Sequence, residues 1–333
     1  MTLQSLLVAN MRILALGAVA VASIGCDPAD DAADDSAGVE RRDYTFSCPT
    51  WRCGFNSAEV NGRAIRELNL DGVANAAGVK IVGFIAPLGL LGYSLAVEDD
   101  ELVAKKNGAP TLRGLGLTGA TILVKGPGLL SLPIPITVLA YDEIDSWAED
   151  GPSVPTYALL YPDLSSLLGT RNVCNGDLTD VLATAAVVLG GETYNNTTKT
   201  VNAGMNRWFT IGCAGSAAAK LRLLNYGPQS DFDGQGNPAS VDQRQAALKM
   251  ITADYCGSGV SYTQNDTPLQ WEDAAGTVPL DGPQGAIEAV WTSSGALCVD
   301  TTRIPDTQFA CSRPSCSSFS VDDGMWASYV PAP

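Results

Sequence analysis

Residues able to carry out catalysis are sparse in this sequence, because none of its 333 residues is histidine. The absence of histidine excludes Ser-His-Asp and Cys-His catalysis and removes the commonest ligand of catalytic zinc. An enzyme of this composition must therefore rely on a carboxylate pair, a serine–lysine dyad or a free thiol.

The dyad and the carboxylate pairs both have simpler explanations. Ser216 and Lys220 are four residues apart, whereas penicillin-recognising enzymes use Ser-x-x-Lys, and an alanine-rich helix accounts for the spacing. Asp142-Glu143 and Asp322-Asp323 are typical of solvated turns. The sequence therefore predicts no catalytic residue, and we expect a binding or structural module. The alternative is a secreted or envelope hydrolase that uses carboxylates rather than histidine.

One acidic loop has the spacing of a cation site. Asp231, Asp233, Gln235 and Asp242 fall at positions 1, 3, 5 and 12 of an EF-hand-like calcium loop. Gln at the fifth position and Asp at the twelfth depart from that pattern, and an ordinary polar turn is the competing interpretation. We expect no cofactor, with calcium as the alternative.

Cys26 follows a short apolar segment, residues 13–22, which is typical of an export signal. The residues from Ser23 to Cys26 resemble the lipobox of bacterial lipoproteins, in which the cysteine is acylated and becomes the new N-terminus. Ser23 stands where leucine is usual. The resemblance implies lipidation at Cys26, and an ordinary cleaved signal peptide is the alternative. Translation can start at Met1 or Met11.

Small and acidic residues follow Cys26 without apolar periodicity, which predicts a disordered tether. The whole chain has 20 lysines and arginines against 36 acids, a formal net charge of −16. No basic cluster offsets this charge, so nucleic acid is excluded as a partner. We expect an exported protein anchored by lipid to the membrane, the outer membrane being favoured over the inner. It would lie in the periplasm or at the surface, with a protein or polysaccharide of the envelope as its ligand.

Eight cysteines remain besides Cys26, and an even number in an exported chain predicts disulfides. Two pairs share one spacing and could close locally, Cys48 with Cys53 and Cys311 with Cys316. Four such thiolates could instead hold zinc. The disulfide candidates are Cys48, Cys53, Cys174, Cys213, Cys256, Cys298, Cys311 and Cys316.

Two helices are predicted in the second half of the chain. Apolar residues recur at helical spacing over residues 214–224, and Gly227 follows as a stop. Ser240 and Gln243 form a capping-box pattern ahead of a second helix, with Gly257 as its stop. If the two helices pack antiparallel, Cys213 and Cys256 meet, which predicts a disulfide between them.

Ala253, Asp254, Tyr255 and Cys256 spell a tetrad within this second region. Together with residues 208–220 and 249–257 they resemble the ADYC domain, and further similar segments extend the resemblance over residues 48–300. The resemblance implies a domain of unknown function in secreted and lipid-anchored envelope proteins. It implies no mechanism. We expect Asp254 to be an internal polar anchor near a helix end.

The predicted fold class is α+β, with a β-rich N-terminal domain, a small sandwich or barrel, before a disulfide-stabilised α+β domain containing a two-helix hairpin. Short β-rich runs occupy residues 79–125, and Pro135 within residues 134–138 predicts a strand near a sheet edge. The predicted boundaries are 1–25 for the signal peptide, 26–43 for the tether, 44–150 for the β-rich domain and 151–330 for the ADYC-like domain.

Overall fold

Strands are the main building element of this chain. The computed structural model describes residues 57–128, 131–163, 169–174, 185–264 and 267–331, which belong to one compact unit. Within these ranges there are nineteen strands and two α-helices. The fold is therefore β-rich, as the sequence predicts for its first half.

The elements are numbered here in chain order. The strands are β1 Glu59–Val60, β2 Arg63–Ala64, β3 Glu67–Asn69, β4 Lys80–Ile85, β5 Ser94–Glu98, β6 Glu101–Lys105, β7 Leu112–Arg113, β8 Thr121–Lys125, β9 Ile134–Ile144, β10 Val154–Pro162, β11 Thr170–Asn172, β12 Ala186–Gly190, β13 Glu192–Asn195, β14 Thr200–Ala203, β15 Trp208–Cys213, β16 Gln270–Asp273, β17 Ala286–Thr292, β18 Gly295–Val299 and β19 Trp326–Val330. The α-helices are α1 Ala217–Leu223 and α2 Val241–Thr252.

The largest sheet is antiparallel and curls into a nearly closed barrel. Its strands run in the order β3-β15-β12-β10-β9-β8-β4, with β11 beside β10. The end strands β3 and β4 contact each other, and apolar side chains such as Ile122, Leu159 and Ile211 fill the interior. Because β9 pairs with β10, the sheet crosses residue 150, where the sequence predicts a domain boundary.

Strand β12 is apolar at nearly every position because both of its faces are buried. Val188 lies in the barrel interior, whereas Val187 and Leu189 belong to a second core that also contains α1 and α2. Helix α1 packs closely on this side of the barrel, since a Cβ at Gly212 would lie 2.9 Å from the Ala219 nitrogen. Glycine at this position permits the close approach of strand and helix.

A second antiparallel sheet has the order β16-β19-β17-β18. It packs against α2, and the fully buried side chains of Trp291 and Trp326 fill the space between them. Large aromatic side chains of this kind dominate the energetics of a small core. This sheet and α2 together hold the tetrad region.

The caps of both helices follow from local sequence. The Ser240 hydroxyl accepts from the Gln243 N–H, and the Gln243 side chain accepts from the Ser240 N–H, which confirms the predicted capping box. Ser216 is the N-cap of α1 and accepts from the Ala219 N–H, so this helix begins later than expected. Helix α2 ends at Thr252, not at Gly257. The antiparallel hairpin of the two helices stays a prediction.

Pro135 occupies the part of β9 that has one neighbour. Strand β9 pairs with β8 from Ile134 to Thr137 and with β10 from Thr137 to Ile144. Pro135 therefore faces only Leu123 of β8, and its missing N–H costs no second ladder bond. The predicted edge is local, because the same strand is internal further along.

Three disulfides link cysteines of the described ranges. Their pairs are Cys174–Cys213, Cys256–Cys311 and Cys298–Cys316. The predicted pair Cys213–Cys256 is wrong, and Cys311 and Cys316 do not form the local pair that their spacing would allow. Cys213 ends a barrel strand rather than opening α1, and Cys256 lies beyond the turn that ends α2. Cys26, Cys48 and Cys53 lie outside the described residues.

Candidate functional site

The tetrad begins in the turn that ends α2. Ala253 has φ 50° and ψ 43°, in the left-handed region. Its N–H donates to the Met250 carbonyl at 3.1 Å, and the Asp254 N–H donates to the Lys249 carbonyl at 3.0 Å, the two bonds of a Schellman motif. Glycine is usual at this position, whereas the alanine methyl here is fully buried. The turn reverses the chain and points Asp254 and Tyr255 into the core.

Asp254 is fully buried and forms an ion pair with the helix that precedes it. Its Oδ2 accepts from Lys249 Nζ at 2.6 Å and from the Gly259 N–H at 2.8 Å. Lys249 also donates to the Thr198 carbonyl at 3.0 Å, which ties the loop after β13 to the same centre. The second oxygen, Oδ1, is buried without a hydrogen-bond partner among the described residues. The geometry is that of an internal anchor.

Tyr255 joins the tetrad to the second sheet. Its ring stacks on Trp291 at a centroid distance of 5.3 Å and also contacts Phe309. Its hydroxyl donates to Glu288 Oε1 at 2.6 Å, and burial, aided by the Glu288 charge, raises the Tyr255 pKa well above its usual value. The phenol therefore stays protonated and acts as a hydrogen-bond donor.

Glu288 is the centre of a buried network. Its Oε2 accepts from Arg303 Nη2 and from Ser328 Oγ, both at 2.7 Å, while Oε1 accepts from Arg303 Nε at 2.7 Å. Burial alone would raise its pKa, but Arg303 and these hydrogen bonds outweigh burial and hold the pKa below its usual value. Arg303 also donates to the Met250 carbonyl at 2.9 Å, so it satisfies the end of α2 as well.

Cys256 completes the tetrad with a covalent link to Cys311. The backbone beside it is tightly packed, since a Cβ on Gly295 would lie 2.7 Å from the Gly257 nitrogen and 2.9 Å from the Tyr255 carbonyl oxygen. Gly295 has φ 116°, which also favours glycine. The four tetrad residues thus supply a turn, an ion pair, a hydrogen bond from a tyrosine hydroxyl and a disulfide.

This arrangement suits structural support and does not suit catalysis. Asp254, Tyr255 and Glu288 are all fully buried, so no substrate reaches their polar atoms without a rearrangement of the core. Buried, paired charges also impose a cost in desolvation that only a fixed geometry offsets. The tetrad therefore acts as a structural node between α2 and the second sheet.

In the predicted calcium loop, carboxylates accept hydrogen bonds from backbone N–H groups of the same loop. Asp231 Oδ1 accepts from the Gly236 N–H, and Asp233 accepts from the N–H groups of Gln235 and Asn237. Asp242 lies in the first turn of α2. In the ranges that the structure describes, no group of three or more acidic or cysteine side chains is placed to hold a metal.

A cavity of about 400 Å³ adjoins this loop. Three of the side chains around it are acidic, Glu149, Asp150 and Asp231, and Phe232 supplies an aromatic wall. None of the residues lining it is lysine or arginine. The cavity therefore favours cationic or neutral polar ligands over anions.

Asp100 is a buried acid that sequence reasoning did not single out. It lies in the turn between β5 and β6, and its Oδ1 accepts from the Gly190 N–H at 2.8 Å. Its Oδ2 accepts from the Gln229 N–H at 3.0 Å. Burial raises the Asp100 pKa from 3.8 to about 6, although Arg222 and these N–H donors oppose the shift. In the sequence, Asp99-Asp100 has the pattern of an ordinary solvated turn, so nothing in it indicates that the Asp100 side chain is buried.

The other catalytic candidates are engaged in local structure. Ser216 caps α1, and Glu143 accepts from the Tyr141 hydroxyl at 2.6 Å. Asp323 accepts from the Ser320 N–H at 2.8 Å in a short helical turn. The structure brings none of these side chains together with the tetrad.

A family model matches residues 114–305, more than half of the chain, and is described as the ADYC domain. The chain belongs to the ADYC domain family. The match covers the tetrad, Glu288 and Arg303, whereas Ser328 of the buried network and Cys311 lie beyond it. Searches of curated proteins and of solved structures found no match.

Within the ADYC domain, two of the segments that resemble the family touch the tetrad. Residues 288–292 supply Glu288 and Trp291, and residues 295–298 supply Gly295. Among the described residues, no helix is both long and apolar enough to cross a bilayer.

Proposed function

We propose that this ADYC protein is an exported, lipid-anchored module of the cell envelope that binds or supports other envelope components and does not catalyse a reaction. The three disulfides are the observation that carries the export part of this proposal. Disulfides persist in oxidising compartments and are rare in the cytosol. A chain with six bridged cysteines is therefore suited to the periplasm or the cell surface.

The buried state of the tetrad supports the non-catalytic part. A general acid or base must reach the proton that it transfers, whereas Asp254 and Tyr255 are fully buried and bonded to Lys249 and Glu288. The raised pKa of Asp100 does not favour catalysis either, because its side chain is enclosed by backbone N–H groups. A hydrolase would need an accessible pair of carboxylates.

The anchor rests on the segment from Ser23 to Cys26, whose pattern predicts acylation. Several acyl chains on one residue would hold the protein durably, since each buried CH₂ contributes about 0.8 kcal/mol. The acidic tether after Cys26 would keep the folded part clear of the headgroups.

The test is membrane fractionation and fatty-acid labelling in the native bacterium. Wild-type protein is expected in the membrane fraction with labelled lipid, and Cys26→Ser should carry no label. Ser23→Leu is the matched variant, because it restores the usual lipobox residue and should keep or increase labelling. A wild-type protein without label, or equal label on Cys26→Ser, would contradict the anchor.

A further inference from the structure

The outer face of the barrel carries an uncharged surface on β4, β8 and β9. The strand registers place six residues on it in two rows, Ile85, Thr121 and Thr137 and, beside them, Gly83, Leu123 and Pro135. Two contacts fix their common side. The Thr121 and Thr137 hydroxyls are 3.3 Å apart, and a Cβ on Gly83 would lie 3.2 Å from Leu123 Cδ1.

This face continues into a loop of exposed leucines between β4 and β5. Leu88 is 99% exposed and Leu91 is 84% exposed, which leaves nearly all of both side chains in water. Leu88 also has φ 57°, a conformation that costs free energy for a residue with a branched side chain. A strained turn that presents leucines to solvent indicates a surface with a partner.

Lysines border this apolar surface. Lys80 and Lys125 face each other across β4 and β8 at one end. At the other, Lys106 Nζ donates to the Leu91 carbonyl at 2.9 Å and lies 5.7 Å from the centre of the Tyr93 ring. Residues 81–85, 121–125 and 134–140 contain no acid, although acids outnumber lysines and arginines 36 to 20 in the chain.

We propose that this surface, the outer face of β4, β8 and β9 together with residues 86–92, docks on a lipid bilayer. Leu88 and Leu91 enter among the acyl chains, and Lys80, Lys106 and Lys125 bind lipid phosphates. The pattern of protruding aliphatic side chains, an adjacent tyrosine and flanking lysines matches the chemistry of the membrane interface. Because it needs no acyl chain on Cys26, the docking is separate from the proposed anchor.

Hydrogen exchange of the full chain measures this docking locally. The chain carries Cys26→Ser so that it cannot be acylated, and it is mixed with vesicles of phosphatidylcholine and phosphatidylglycerol. Amides of residues 84–92 are expected to exchange several-fold more slowly with vesicles. Amides of residues 114–119, around the equally apolar Leu115 at 73% exposure, should be unchanged. Equal exchange of residues 84–92 with and without vesicles would overturn the proposal, even if the N-terminal segment binds lipid.

Two variants test whether the docking depends on Leu88 and Leu91 in particular or on any exposed leucine. Leu88→Ser with Leu91→Ser should abolish the protection of residues 84–92, whereas Leu115→Ser should keep it. Loss of protection in both variants, or in neither, contradicts the proposal. Protection that grows with protein concentration in the absence of vesicles would instead identify a second copy of the chain as the occupant.

Discussion

Asp100 makes the stability of this protein depend on pH at the level of one side chain. Its pKa rises to about 6 in the folded chain, chiefly because burial disfavours the charged form. The folded state therefore binds more protons than the unfolded state between about pH 4 and pH 6. Its contribution to stability is present below its unfolded pKa of 3.8 and is lost as the pH rises through about 6.

We predict that Asp100→Asn removes this pH dependence. The free energy of unfolding of the wild type should fall by about 2 kcal/mol relative to Asp100→Asn between pH 4 and pH 6. Urea unfolding at a series of pH values measures the difference. Asp99→Asn is the control, because the Asp99 side chain is 77% exposed. Parallel profiles for wild type and Asp100→Asn would show that Asp100 does not titrate in this range.

Removing the buried charge of Glu288 should lower the free energy of unfolding far more than removing a charge nearer the surface. Glu288→Gln leaves the Arg303 guanidinium buried without its carboxylate, which typically costs about 3–5 kcal/mol. Glu272→Gln is the matched control, since Glu272 accepts one hydrogen bond from Tyr329 at 2.5 Å and is only partly buried. It should cost about 1 kcal/mol. Thermal and urea unfolding compare the two, and similar losses would argue against the structural node.

The N-terminal cap of helix α2 should contribute measurably to the stability of the protein. Ser240→Ala removes the hydroxyl that accepts from the Gln243 N–H, so it should lower the free energy of unfolding by about 1 kcal/mol. Ser240→Thr keeps an accepting hydroxyl and should recover most of the loss. Urea unfolding checks both variants. No recovery in Ser240→Thr would mean that the serine acts through packing rather than through the cap.

The same helix shows which elements sequence can predict. The capping box and the short strands within residues 79–125 depend on neighbours in the chain, and both were found where expected. The end of α2 was not, because Ala253 takes a left-handed conformation that glycine usually supplies. A local sequence pattern cannot report that the alanine methyl is buried against the core.

The barrel and the tetrad node depend on contacts between distant residues. The sequence does not single out Glu288 as the centre of a network. Its partners Tyr255, Arg303 and Ser328 lie 33, 15 and 40 residues away in the chain. Eight cysteines allow 105 complete sets of pairs, and the one pair that helix geometry predicted, Cys213–Cys256, was wrong. Closure of the sheet between β3 and β4 has no periodic signature that separates a barrel from a sandwich.

At the scale of the whole molecule, the disulfides join segments far apart in the chain. Cys256–Cys311 closes a loop of 55 residues and Cys298–Cys316 a loop of 18. On the chain-entropy model, removing the first should cost about 4 kcal/mol and removing the second about 3 kcal/mol. Thermal unfolding of Cys256→Ser with Cys311→Ser, and of Cys298→Ser with Cys316→Ser, compares them. A larger loss for the shorter loop would contradict the entropic explanation.

The tetrad of this ADYC protein is a structural node closed by a disulfide, and we propose that the protein is an exported module. Peptide mapping of the unreduced protein, purified from its native envelope, tests it most directly, with intact mass measured on the same sample. We predict the pairs Cys174–Cys213, Cys256–Cys311 and Cys298–Cys316, and a diacylglyceryl group on Cys26. A free, reactive thiol at Cys256, or a Cys213–Cys256 pair, would contradict the claim.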